Sequence, residues 1–241
     1  MKKYLFSAIF ILALIFPTAN LQGQPTNQPQ QADTSARETA SCGILDYGGQ
    51  VYHTVIIGSQ CWMKENLNLG KWVMRGQQDI HSDNDDVLEK YCFGDNFVNC
   101  DQWGGLYEWD EMMRYVRTAN AQGICPAGWH IPSSADFKAL IRYLGGEYAA
   151  GGKMKFTGSS GWQQPNVAAT DSSGFKALPG GYYDTMTRRW RDVLVNAYFW
   201  SSETISETTS VALSLSYRSG NADLYEEYNP SALSVRCIKD K

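Results

Sequence analysis

Apolar and polar positions follow a regular spacing in only a few stretches of this chain. Gln50-Val-Tyr-His-Thr-Val-Ile-Ile57 is rich in β-branched and aromatic residues. It is entered through Asp46-Tyr-Gly-Gly49 and left through Gly58-Ser-Gln60, which predicts a hairpin whose return strand begins at Cys61-Trp-Met63. Between Trp103 and Val116, Leu106, Trp109, Met113 and Val116 recur at helical spacing and predict a first helix. A second helix carries fuller signals. Ser133 or Ser134 can cap it, Asp136 sits in its first turn, Phe137, Leu140, Ile141 and Leu144 form its buried stripe, and Gly145-Gly146 ends it. From Gly151 to Gly181 the chain turns to Gly, Ser, Asn and Pro, which predicts loops. Short strands are then expected over Tyr198–Ser201, Val211–Tyr217, Asp223–Tyr225 and Ser234–Ile238. In Val211–Tyr217 the odd positions are apolar and the even ones small, the pattern of a strand covered on one face. Helices early and antiparallel strands late predict an α+β fold.

The amino-terminus adds a compartment to this picture. Lys2 and Lys3 precede an apolar run from Tyr4 to Phe16, then Pro17 and a region of small residues ending at Gly23. This predicts a secretory signal peptide over residues 1–23, too short for a transmembrane helix of about 20 apolar residues. The first Cys is Cys42, so no lipid-anchoring Cys follows the apolar run. Residues 24–40 hold no aromatic residue and cannot bury enough apolar surface to offset their chain entropy, so a disordered tether is expected there. Residues 41–241 then form one domain, with eight Trp, thirteen Tyr and six Phe to furnish its core. A net charge of -4 gives no reason to expect nucleic acid or an anionic membrane as partner. The expected location is secreted or cell-surface, with the periplasm as the alternative, and the mature chain is expected to have no transmembrane segment.

Six Cys in an exported domain read as a disulfide framework. Local spacing pairs Cys92 with Cys100. Cys42 with Cys61 brackets the first hairpin, which leaves Cys125 with Cys237. A zinc site is disfavoured because no CxxC pair is present and the three His are scattered at 53, 81 and 130.

Several segments together resemble the Fibrobacter succinogenes major paralogous domain family, found in exported bacterial proteins. They are Tyr52–Gly58 with Cys61–Leu67, Glu89–Phe93 with Asn99-Cys100, Gly104–Asp110, Gln122–Ser133, Asp171–Gly181, Tyr198–Ser202 and Ser234–Cys237. The resemblance runs in order from about residue 42 to the end. It implies a fold similar to the C-type lectin-like domain and its formylglycine-generating relative: two helices packed on short antiparallel strands, with long loops and a disulfide closing the whole. In that pattern a Cys after the first helix bonds the Cys of the last strand, and Cys125 and Cys237 match those places.

Few residues point to chemistry. Gln164-Pro165-Asn166 resembles the tripeptide with which lectin-like domains hold calcium and a sugar, but Phe199-Trp200-Ser201-Ser202 stands where a Trp-Asn-Asp segment would complete the shell. A turn stiffened by Pro165 is the expectation. Asp79 to Asp86 alternates acids and amides, yet counting from Asp83 it lacks the Gly at position six of an EF-hand loop, so a solvated loop is expected. His130 has no nucleophile signature near it and is expected to pack beside Trp129 and bond a loop carbonyl. A formylglycine-generating activity needs a reactive Cys pair near the C-terminus, where only Cys237 lies.

The best ligand candidates combine aromatic faces with fork-shaped donors: Tyr182, Tyr183, Arg188, Arg189 and Trp190, together with Arg191, Tyr225 and Tyr228. The leading expectation is a secreted, non-enzymatic binding or surface-assembly module for a glycan or surface protein, without metal or cofactor. An enzyme of the formylglycine-generating type or another hydrolase is one alternative. A structural part of a cell-surface assembly is the other.

Overall fold

The computed structural model describes residues 40–75, 87–158 and 161–241. The expected signal peptide, the tether up to residue 39 and the acidic run Asp79–Asp86 lie outside the described residues. In chain order the first elements are β1 (Ile44–Tyr47), β2 (Gln50–Ile57), β3 (Gln60–Met63), β4 (Lys71–Trp72) and β5 (Glu89–Lys90). Next come α1 (Val98–Trp103), β6 (Leu106–Tyr107), α2 (Trp109–Met112), β7 (Trp129–His130), α3 (Ser134–Tyr143) and α4 (Glu147–Met154). The second half holds β8 (Tyr182–Asp184), β9 (Arg189–Arg191), β10 (Asn196–Thr204), β11 (Thr209–Ser216), β12 (Asp223–Tyr228), β13 (Leu233–Ser234) and β14 (Ile238–Lys239). Two five-stranded sheets, ordered β1-β2-β3-β14-β7 and β12-β11-β10-β13-β6, carry the domain, and β4-β5 and β8-β9 add two small ribbons.

This corrects the expected α+β, lectin-like architecture: the chain is mostly β, with four short helices among the described residues. The helix expected over Trp103–Val116 does not form as one unit. Gly104 interrupts it with φ 84°, where a Cβ would stand 2.5 Å from Asn66. Leu106 and Tyr107 are then drawn into a strand by pairing with Ser234 and Leu233, and only Trp109–Met112 remains helical. Val116, placed in the apolar face by periodicity, is 47% exposed. Tertiary pairing has overridden a local 3.6-residue pattern.

The second predicted helix is present as α3. Ser133 is its cap: its Oγ accepts from the Asp136 N–H, and the Asp136 carboxylate accepts from the Ser133 N–H, a complete capping box. Gly146 does not simply end the helical region but precedes α4, whose second half runs into the loop region expected from Gly151. Two glycines in α4 explain its place. A Cβ on Gly151 would meet the Asn221 carbonyl oxygen at 1.8 Å, and one on Gly152 that of Ala168 at 2.4 Å, so the helix packs tightly on two loops.

The last seven residues of the fold stitch the sheets together. β13 lies parallel to β10 and antiparallel to β6, whereas β14 pairs with β3 and β7. The single strand expected over Ser234–Ile238 is thus split. Cys237 is bonded to Cys125 just before β14, and Cys42–Cys61 and Cys92–Cys100 complete the expected pairing, with Cα separations of 5.9, 6.3 and 5.1 Å. One face of β10 and β11 sends Ala197, Phe199, Leu213 and Leu215 against α3, where Trp62 stacks on Phe137 at 5.5 Å. The opposite face sends Trp200 and Ala212 into a second cluster with Trp109, Trp129 and Val235. β11 is therefore covered on both faces along part of its length, not on one: Ser210 and Ala212 are also fully buried.

Between the two halves of the closing segment lies Arg236, fully buried. Its guanidinium bonds Asn66 Oδ1 through Nε (3.2 Å) and Nη2 (2.6 Å), reaches the carbonyls of Phe175 and Lys176, and lies over the rings of Phe175 and Phe199. Lys155 is buried likewise, its Nζ donating to the carbonyls of Val167, Ser216 and Ser219 at 2.7–2.8 Å. Both cations are satisfied by neutral acceptors rather than carboxylates and tie distant loops to the core.

Candidate functional site

The β8–β9 ribbon divides the expected ligand residues by parity, because alternate residues of a strand point to opposite faces. Tyr183 pairs with Trp190, and Tyr182 with Arg191. Tyr183 is 3% exposed and belongs to a small core with Val73, Tyr91, Leu106 and Ala232, and Trp190 packs on it with ring centroids 4.7 Å apart. Tyr183 is thus engaged in core packing, and Trp190 is half-buried against it. Arg188 and Arg189 are exposed on the ribbon. Arg191 is spent: its Nε donates to Asp184 Oδ2 at 2.9 Å, and Asp184 also accepts from Thr187.

Tyr182, on the other face, opens a row of aromatic rings. It meets Tyr198 edge-on at 5.1 Å, and Tyr198 meets Tyr225 at 5.9 Å. All three are partly buried against the core around Trp200. The row is made possible by β11. Tyr198 pairs with Ser214, and Tyr225 with Ala212, so small residues on the middle strand let rings from β10 and β12 meet above it.

The hydroxyls are oriented. Tyr198 Oη donates to Asp192 Oδ2 at 2.6 Å, while Asn196 Nδ2 donates to both Tyr198 Oη (2.8 Å) and Asp192 Oδ2 (3.0 Å). Tyr225 Oη donates to Glu227 Oε2 at 3.3 Å, and Glu227 Oε1 takes a bond from Ser231 Oγ. Burial raises all three phenol pKa values. Beside that, Glu227 contributes for Tyr182 and Tyr225, and Asp192 for Tyr198, so the phenols remain protonated donors. Asp192 uses only Oδ2 in these bonds, which leaves Oδ1 as an acceptor. Protonated phenols, an amide and carboxylates on one aromatic surface can exchange hydrogen bonds with hydroxyl groups while the rings cover an apolar face. Tyr228 is partly buried and takes no part in the row.

Tyr198, Asp192 and Asn196 are the residues that sequence reasoning passed over. Tyr198 lay inside a predicted strand, and the available signal was parity: next to Phe199, on a strand with one face in the core, it had to face the other way.

The remaining candidates resolve as follows. His130 bonds carboxylates rather than a carbonyl, with Nδ1 2.6 Å from Asp240 Oδ1 and Nε2 3.6 Å from Asp136 Oδ2. Its pKa is raised, chiefly by Asp136, against the opposing effect of burial. Ser133 Oγ donates to Asp136, not to His130, so no serine is activated there. Asn166 donates to the Phe156 carbonyl at the turn after Pro165. Among the described residues no group of three or more His, Cys, Asp and Glu is placed to hold a metal ion. None of their helices is long and apolar enough to cross a membrane.

A disulfide-closed, mostly β domain with a tyrosine-lined face is what this geometry defines. The chain belongs to the Fibrobacter succinogenes major domain family, whose profile it matches over residues 55–239. That span runs from the middle of β2 through β14 and includes every residue of the tyrosine row. No curated protein and no solved structure matches the chain.

Proposed function

We propose that the protein is an exported, non-enzymatic binding module whose ligand is a neutral glycan held on the Tyr182–Tyr198–Tyr225 face. The observation that carries this reading is the row itself: three partly buried tyrosines in successive ring contact, with two hydroxyls fixed by carboxylates. Sugar rings offer an apolar C–H face and a rim of hydroxyls, and this surface answers both. Neutral glycans are favoured over acidic ones because Asp192 and Glu227 stand beside the rings while Asp184 and Arg191 neutralise each other. The signal-peptide pattern and the three disulfides support export.

A glycan array probed with the purified, oxidised chain tests the proposal. Neutral oligosaccharides should be retained by the wild type, and Tyr182→Ala should lose them. An array on which only acidic glycans or none bind would reject this reading.

A further inference from the structure

A second surface, sharing no residue with the tyrosine row, is a cleft of about 440 Å³ between the loop after β3, the end of α1 and the chain before β8. That volume falls in the range of about 300–1,000 Å³ usual for small-ligand pockets. Trp103 and Phe156 supply aromatic walls, and Lys64 and Lys176 supply cations.

The hydrogen-bond inventory of the cleft is lopsided. The acceptors of Glu65, Asn66 and Asn68 are already engaged. Glu65 takes the His53 N–H at 2.7 Å and faces His53 Nδ1 at 3.0 Å, Asn66 Oδ1 takes two bonds from Arg236, and Asn68 Oδ1 takes the Lys90 ammonium at 2.5 Å. The cleft's two ammonium groups are not used. Among the described residues neither Lys64 nor Lys176 has a hydrogen-bonded or ion-paired partner for its ammonium, although both lie within electrostatic reach of Asp171. Asp101, exposed at the rim, is a second lining carboxylate beside Glu65, and its charge acts on Lys90.

Lys176 is also held in place by its backbone. It adopts φ 53°, a left-handed conformation unusual for a side-chain-bearing residue, and its N–H donates to Asp171 Oδ1 at 3.0 Å. Its carbonyl accepts from Arg236 at 3.5 Å, and its neighbours Phe175 and Ala177 are fully buried. An exposed lysine is thus presented from a rigid segment, and backbone outliers of this kind gather at ligand sites. Behind the floor stands Arg236, whose pKa burial lowers to about 9, so it keeps its positive charge at neutral pH.

We infer that this cleft is a separate binding site for a carboxylate-bearing saccharide, whose acidic group meets Lys64 and Lys176 while a sugar ring lies against Trp103 and Phe156. It does not depend on the glycan reading of the tyrosine row.

Calorimetric titration of the full chain with trigalacturonate, and with neutral trigalactose as control, tests it. Saturable binding of the acidic trisaccharide is expected, weakening as salt rises. Lys64→Ala and Lys176→Asn should each reduce its affinity about tenfold or more, a loss of about 1.4 kcal/mol. Asn tolerates the left-handed backbone at position 176, and an unchanged urea midpoint confirms that both variants fold. Tyr225→Ala should leave trigalacturonate binding intact. Absence of binding by the wild type, binding of neutral trigalactose equal to that of trigalacturonate in a Tyr182→Ala background, or wild-type affinity in both lysine variants would overturn the assignment.

Discussion

Tyr198 shows how much a single hydroxyl does on this surface: it joins Asp192 and Asn196 into one bonded group and touches a ring on either side. Tyr198→Phe keeps the ring contacts and removes the hydroxyl, so it should cost about 1 kcal/mol of stability in a urea titration. It should also weaken neutral-glycan binding by about tenfold. Tyr183→Ala should behave differently. Its ring is in the core, so a loss of about 3 kcal/mol or more is expected, and any loss of binding will follow loss of fold. Glu108 offers a pH test. Burial foremost, then Glu111, Asp110 and Glu89, raises its pKa from 4.5 to about 8 against the opposing hydrogen bond from Tyr91. The folded state therefore holds this proton more tightly than the unfolded chain. Its favourable contribution is complete below pH 4.5 and is lost as pH rises to about 8, so melting temperature should fall across that window. Glu108→Gln should flatten that fall, and an unaltered pH profile would contradict the assignment. At this scale the sequence made Tyr182 and Tyr225 visible as aromatics in a loop-rich half. It did not separate them from Tyr183 and Trp190, because that division depends on which face of a ribbon meets the core.

Among the elements, legibility followed the strength of local signals. α3 was readable because cap, dipole charge, apolar stripe and terminating glycines agree over ten residues. Ser133→Ala should lower stability by about 1 kcal/mol, measured as a shift of the urea midpoint, because it opens the capping box. The hairpin β2–β3 was readable for the same reason. β6 was not, since its two residues are made a strand by Ser234 and Leu233, more than a hundred positions away in sequence. α4 was hidden by the very glycines that let it approach Asn221 and Ala168. The first error favoured an α+β fold with two long helices, and both arise from contacts that no local window contains.

For the molecule as a whole, the closing segment is decisive. Leu233 to Lys239 pairs with strands of both sheets, carries Arg236 into the core and is locked by Cys237 to Cys125 across 112 residues. The pairing could be read from spacing and resemblance, but the role of Arg236 could not, since its partners come from two separate loops and strand β10. Replacing both Cys125 and Cys237 by Ala should cost about 4.7 kcal/mol on the chain-entropy estimate. A change of urea midpoint worth under about 1 kcal/mol would show that the sheets hold without the bond. The tyrosine row rests on this frame, because its strands β10 and β12 belong to the sheet that β13 anchors. The most direct test of the binding role is calorimetric titration of the best-retained neutral oligosaccharide against the wild type and against Tyr182→Ala with Asp192→Asn. The account predicts a saturable wild-type isotherm and at least about a tenfold loss of affinity in the double variant, with a single cooperative urea transition showing that it is folded under the titration conditions. Equal affinities in the two proteins would contradict it.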